Sequence, residues 1–296
     1  MPRLQVLKKG NSMKLTFVSF AAVMSSAVAL TAPTFAGDLP KTQSVRDTGK
    51  LSIANGLAYA PFEFVDTAGK PAGLDIELAE ASAKALGVEL DITTIPFSSQ
   101  ITALASGRVS IAWSTFSVTE ERLKQVDFVT FLSSATVLMT TAENAGRFKS
   151  KDDLCGASIA VQTGSIADFA ADKLSAECEA AGKAKIEKSI YPEQQDTIQA
   201  VSTGRAIGRF DDSTAAGYLE TESKGKFVVV PGSYFPTPLG LAVAKGDKET
   251  AEMMRATLQQ LMDDGTYKGI VDKYNMSTSA TDKSIIITDP SQITGQ

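Results

Sequence analysis

One pattern in this chain is used twice, and it restricts the fold more than any other feature. Ile101-Thr102-Ala103-Leu104-Ala105-Ser106-Gly107-Arg108 is answered by Ile198-Gln199-Ala200-Val201-Ser202-Thr203-Gly204-Arg205. Each reads as a short amphipathic helix stopped by glycine, running into an apolar strand. The strand is Val109 to Trp113 in the first copy and Ala206 to Phe210 in the second. In this register Thr115 takes the place of Asp212. Two copies of one helix-strand unit predict two lobes of similar α/β build.

Strands and helices alternate around both copies. In the first, Leu51 to Ala54 reads as a strand, followed by a loop with Tyr59, Pro61 and Phe62. Gly73 leads into a helix from Leu74 to Leu86, stopped by Gly87, and Val88 to Thr93 is the next strand. In the second, Ala157 to Val161 is a strand, the turn Gln162-Thr163-Gly164-Ser165 opens a helix near Ile166, and Lys185 to Ile190 and Phe227 to Val230 are strands. Alternation of this kind predicts mostly parallel, Rossmann-like sheets. Val137 to Thr141 and Leu239 to Ala244 are expected to be two crossover strands forming a hinge. The first lobe is then 37–140 with 243–276, closed by helices from Lys248 to Asp263 and on to Tyr274, and the second is 141–242. From 277 to 296 the chain is polar apart from Ile285 to Ile287 and is expected to be a loose tail.

The first residues read as an export signal. Lys8, Lys9 and Lys14 precede an apolar run from Leu15 to Leu30, and Thr34-Phe35-Ala36 is a small-x-small cleavage site. Either Met1 or Met13 serves as the start, and no cysteine at the cleavage point offers a lipid anchor. Removal of 1–36 takes away Arg3, Lys8, Lys9 and Lys14 and no acid, shifting the net charge from −5 to −9. Such an acidic, exported chain is a poor nucleic-acid binder, and a periplasmic location is expected. Its two cysteines, Cys155 and Cys178, are expected to form a disulfide in that setting. There is no histidine. That excludes Ser-His-Asp triads, Cys-His pairs and histidine-ligated metals, and it favours a binder over an enzyme. No cofactor or metal is called for.

Groups that carry chemistry fall at strand ends, where open α/β sheets bind ligands. The run Ser114-Thr115-Phe116-Ser117-Val118-Thr119-Glu120-Glu121-Arg122 supplies hydroxyls, a guanidinium and a Ser117-x-x-Glu120 capping box that opens a helix. Free amides at a helix start and an arginine fork both suit a carboxylate. Thr163-Gly164-Ser165 offers a second helix start. Asp212, following a strand with Asp211 beside it, suits an ammonium. Donors on one side and an acid on the other describe a receptor for a zwitterion, hence for an α-amino acid.

In order along the chain, Tyr59-Ala60-Pro61-Phe62-Glu63-Phe64, Gly73-Leu74-Asp75-Ile76-Glu77-Leu78, Ser114 to Arg122 with Val126-Asp127-Phe128, and Leu258 to Tyr274 with Asp264-Gly265-Thr266-Tyr267 resemble the amino-acid-binding proteins of bacterial ABC importers. That family contains the lysine/arginine/ornithine-, histidine- and glutamine-binding proteins. The resemblance covers Leu51 to Tyr274 and implies a two-lobed, Venus-flytrap fold of periplasmic binding protein type II. It further implies a monomer that closes on a free amino acid and hands it to a permease in the inner membrane. Arg122 would take the ligand carboxylate with the amides of Ser117 and of Ser165 or Ile166. Thr115 and Asp212 would take the ammonium, and Tyr59 and Phe97 would pack on the side chain. The chain departs from the family at Gly56, where basic-amino-acid binders often carry an acid, at Ile207, and at Phe131-Leu132. Arg209 has no evident partner. Gly56 disfavours lysine or arginine as ligand, and Phe97 with Trp113 nearby favours a neutral or aromatic side chain. Cyclohexadienyl dehydratases resemble relatives of this family, and an enzyme of that kind would need Glu63, Asp211 or Asp212 as its acid. A sensory module feeding a separate receptor is a further alternative.

Overall fold

The structure, a computed structural model, describes residues 38–295; the signal expected over 1–36 lies outside the described residues. The chain begins with α1 (Gln43–Thr48), β1 (Lys50–Asn55), the small strands β2 (Ala58–Tyr59), β3 (Glu63–Val65) and β4 (Pro71–Ala72), and α2 (Leu74–Leu86). It continues through β5 (Glu89–Thr94), α3 (Phe97–Ala105), β6 (Ile111–Ser117), α4 (Glu120–Leu123) and the long β7 (Val126–Thr141). There follow β8 (Ser158–Gln162), α5 (Ile166–Ala180), β9 (Glu187–Tyr191), α6 (Gln194–Ser202) and β10 (Gly208–Asp212). The last elements are α7 (Ser213–Glu222), β11 (Phe227–Val229), β12 (Tyr234–Ala244), α8 (Lys248–Asp263), α9 (Thr266–Lys273) and β13 (Ile286–Ile287).

The repeated unit is real in three dimensions. β1-α2-β5-α3-β6 and β8-α5-β9-α6-β10 each lay their first strand in the middle, giving parallel strand orders β5-β1-β6 and β9-β8-β10. Ala103 and Leu104 in one copy, and Ala200 and Val201 in the other, are buried at equivalent helix positions. Gly107 and Gly204 end the two units at φ 70° and 76°, a left-handed backbone that glycine adopts without strain. Each half packs apolar residues on both faces of its sheet, as a doubly wound α/β unit must.

β7 and β12 join the halves as an antiparallel pair in the centre of the sheet. Near its start β7 lies beside the Gly240 to Ala244 part of β12, and from Thr136 on it pairs with β10. The passage between halves therefore falls near 132–136 and 234–238, a few residues before the expected Val137 to Thr141 and Leu239 to Ala244.

Local sequence set several element ends. At Gly73, φ is 120° and a Cβ would sit 2.3 Å from the Phe62 carbonyl oxygen, so only glycine fits where the β3 loop meets α2. Cys155 and Cys178 are joined, with Cα atoms 5.6 Å apart, and tie the segment before β8 to α5.

Three expectations are corrected. β6 runs on to Ser117, so Ser114 to Ser117 are strand residues; the cap is Thr119, whose hydroxyl accepts from the Arg122 amide at 3.2 Å and opens only a four-residue helix. β10 is shifted two residues later than expected, so Asp211 and Asp212 end the strand instead of following it. The segment after 276 is docked: β13 pairs with β7, Ile287 is fully buried, Thr281 donates its amide to the Tyr267 hydroxyl, and Lys245 donates to the Thr288 carbonyl. Two adjacent isoleucines sufficed, because the Phe128–Val129 edge of β7 was open to take them.

Candidate functional site

The carboxyl ends of β1, β6, β8, β9 and β10 converge on one cavity. Gly56, Tyr59, Phe97, Thr115, Ser117, Arg122, Ser165, Ile166 and Asp212 all line it. These residues, expected from sequence to touch the ligand, are thus brought to one place from both halves of the sheet. The cavity adds Ala58, Glu63, Gln162, Ala167, Glu193, Gln194 and Asp211. The strand-end rule could have found Gln162, which ends β8, and Glu193-Gln194, which follow β9.

One side is built of donors. Arg122 is 4% exposed, and its guanidinium donates to the Ser117 carbonyl at 2.7 Å and to the Gly164 carbonyl, in the other half, at 2.8 Å. Phe97, Phe116 and Phe169 place their ring centres 5.4–5.8 Å from it, and Phe97 stacks on Phe116. Cation–π contact and the aliphatic stem hold the fork in place. Among the described residues Arg122 makes no ion pair. Burial pulls it down to about 10, against the raising charge of Asp212, so it stays cationic at neutral pH. Beside it, Ser165 caps α5: its hydroxyl donates to the Gln162 carbonyl at 2.8 Å and accepts from the Asp168 amide at 3.3 Å. The amides of Ile166 and Ala167 have no acceptor among the described residues. They are orphan donors at the positive end of a 15-residue helix.

The other side is built of acids. The Tyr59 hydroxyl lies 2.7 Å from Asp211 Oδ1 and 3.0 Å from Asp212 Oδ2, spanning from one half to the other. Burial and these carboxylates raise the Tyr59 phenol well above its ordinary range. It has one proton to give. Asp211 takes the shorter bond, so the contact with Asp212 closes when Asp212 itself carries a proton. Burial, and then the charge of Asp211, push Asp212 up to about 7, which makes that protonation available near neutrality. Asp212 Oδ1 is buried without a hydrogen-bond partner among the described residues.

Asp211 is tied elsewhere. It pairs with Arg209 at 2.5 Å and accepts from Gln194 at 2.8 Å and from the Asp212 amide at 3.0 Å. Arg209 is fully buried and also donates to Thr197. The missing partner of Arg209 is thus Asp211, two residues on in the same strand. Trp113 is fully buried against Phe131 and does not line the cavity. Gly56 lines the cavity, and a Cβ there would meet nothing closer than 3.6 Å.

A sheet of two doubly wound halves, crossed by two strands and clasping a polar cavity, is the architecture of a two-lobed ligand-binding protein. The chain belongs to the bacterial extracellular solute-binding proteins, family 3, whose model matches residues 51–277. Among curated relatives it is 32% identical over 252 residues to an L-arginine-binding protein of Pseudomonas aeruginosa, covering 83% of this chain and 91% of that one. It is 28% identical over 251 residues to an arginine-binding protein of Corynebacterium glutamicum, covering 84% of this chain and 81% of that one. Among solved structures it resembles an ancestral amino-acid-binding protein described as a precursor of cyclohexadienyl dehydratase (TM-score 0.70, 32% identity, 78% of this chain and 97% of that one). It also resembles an ancestral arginine-binding protein bound to arginine (TM-score 0.69, 31% identity, 76% of this chain and 98% of that one). These neighbours carry the type II periplasmic binding fold expected from the sequence.

Proposed function

We propose that this chain is a periplasmic, monomeric receptor that captures a free α-amino acid and delivers it to an ABC permease. One observation carries the reading. A guanidinium without an ion-pair partner and a carboxylate oxygen without a hydrogen-bond partner among the described residues, both buried, line the same cavity. Desolvated groups left open in this way are costly unless a ligand completes them. A zwitterion completes both: its carboxylate meets Arg122 and the amides of Ile166, Ala167 and Ser117, and its ammonium meets Asp212 and Thr115. The names of the relatives support the same class.

In this reading the chain works as two lobes, with the hinge at 132–136 and 234–238 and the segment from 277 riding on the first lobe. Arg122, Thr115 and Tyr59 come from one lobe and Ile166 and Asp212 from the other. A ligand held by both sets stabilises the closed form through that differential contact alone.

For the ligand side chain, Tyr59, Phe97, Gly56 and Glu193 form the remaining wall. Glu193 is half-buried, and its carboxylate has no partner among the described residues. Once the head group has used Arg122 and Asp212, Glu193 is an acid left over, which favours a cationic side chain. That reading replaces the neutral or aromatic preference, half of which rested on Trp113. Thermal-shift screening with all twenty amino acids, ornithine, prephenate and arogenate tests it. Stabilisation by arginine, lysine or ornithine supports it, and stabilisation by aromatic residues alone restores the earlier preference. Conversion of prephenate or arogenate to an aromatic product would make the chain an enzyme.

A further inference from the structure

Thr115 stands out among the cavity residues. It is a β-branched residue with φ 41°, a strained backbone conformation that persists only when its surroundings enforce it. Its neighbour is Asp75, from the first turn of α2, which is fully buried. The Thr115 hydroxyl donates to Asp75 Oδ2 at 2.7 Å. The buried carboxyl of Glu63 lies close enough to Asp75 for the charge of one to bear on the ionisation of the other. Burial, and then the nearby Asp75 charge, raises Glu63 well above the carboxylate range.

A hydroxyl has one proton and two lone pairs. With its proton committed to Asp75, Thr115 can present only lone pairs to the cavity. We propose that Asp75 is a positioning residue that fixes Thr115 as a hydrogen-bond acceptor, so that this corner of the cavity selects an ammonium and rejects an acceptor in its place. The inference rests on the amino-acid reading of the site. Its content is that discrimination between an α-amino acid and the α-keto acid of the same side chain is set partly by a residue outside the contact surface.

The test is calorimetric. The probes are the amino acid that gives the largest thermal shift and its α-keto analogue, and the readout is the ratio of their Kd values. In Asp75→Ala, Thr115 regains its proton and can donate into the cavity, and the ratio is expected to fall by tenfold or more. In Asp75→Asn, the amide oxygen still accepts from Thr115, so the ratio is expected to stay within about threefold of the wild type. A merely structural role for Asp75 would weaken both ligands by the same factor and leave the ratio unchanged, and that result overturns the proposal. So does an Asn variant that loses as much discrimination as Ala. Should Asp75→Ala not fold, Asp75→Cys, whose thiol is a weak acceptor, is read in the same way. Thr115→Val closes the cycle: adding Asp75→Ala to it should change the ratio no further. If the wild type binds no amino acid at all, the functional reading itself has failed.

Discussion

The two sides of the cavity are opposites in construction. On the Arg122 side the groups left open are donors, and the guanidinium is steadied by carbonyls and aromatic faces, with no acid within ion-pair reach among the described residues. On the Asp212 side acids crowd together, and only one of them has a base: Asp211 is neutralised by Arg209, while Asp212 is left with a tyrosine hydroxyl. Two neighbouring residues in one strand thus have different work. Asp211 belongs to the framework, and Asp212 is the group left open. Charge that is paired internally stabilises the fold or breaks even; charge left unpaired in a cavity is available to a ligand.

That contrast can be broken from either side. The largest effect is expected from Arg209→Leu, which strands a buried Asp211 and should cost about 3–5 kcal/mol in urea unfolding. Arg209→Leu with Asp211→Leu should recover most of the loss. Arg122→Ala is the converse. Binding of the cognate ligand should weaken by about 2–5 kcal/mol in calorimetry, while the empty protein melts no lower than the wild type. Equal affinities would remove Arg122 from the site.

Asp212→Asn should reduce affinity for α-amino acids by about tenfold to a hundredfold, the range for losing one charge-assisted hydrogen bond, and leave the melting temperature of the empty protein unchanged or raised. A large drop in that temperature would place Asp212 in the framework with Asp211.

The smallest and most graded effect is with pH. Asp212 is pushed up to about 7 from an ordinary 3.8, chiefly by burial. The folded empty protein keeps a proton that the unfolded chain releases, so this contribution to stability is complete below about 4 and is lost as pH rises to about 7. Ligand binding has the opposite sign: an ammonium needs ionised Asp212, so affinity should rise by up to about tenfold per pH unit until about 7 and then level. Melting and titration from pH 5 to 8 should therefore slope in opposite directions, and Asp212→Asn should flatten the binding slope.

Much of this was legible in the sequence for local reasons. Helix α2 matched its expected bounds from Gly73 to Gly87, and α8 matched from Lys248 to Asp263, because glycine stops and a 3.6-residue apolar period act within a few residues. The start of α5 at Ile166, and with it half of the donor side, followed from the Gly164-Ser165 turn. The capping box at Ser117 misled because β12 pairs with β6 as far as Ser117, leaving the cap to Thr119.

The amino-acid sequence by itself determined the doubled α/β unit, the strand ends where a ligand could sit, and the supply of one guanidinium and several acids near those ends. Only the tertiary structure decided which acid is free. Arg209 finds Asp211, Tyr59 reaches across 152 positions to it, and Asp75 grips Thr115 across 40. Local pattern fixes where a chain turns. Which charges cancel is fixed by desolvation and by contacts between segments far apart in sequence, and these exist only once the sheet has formed.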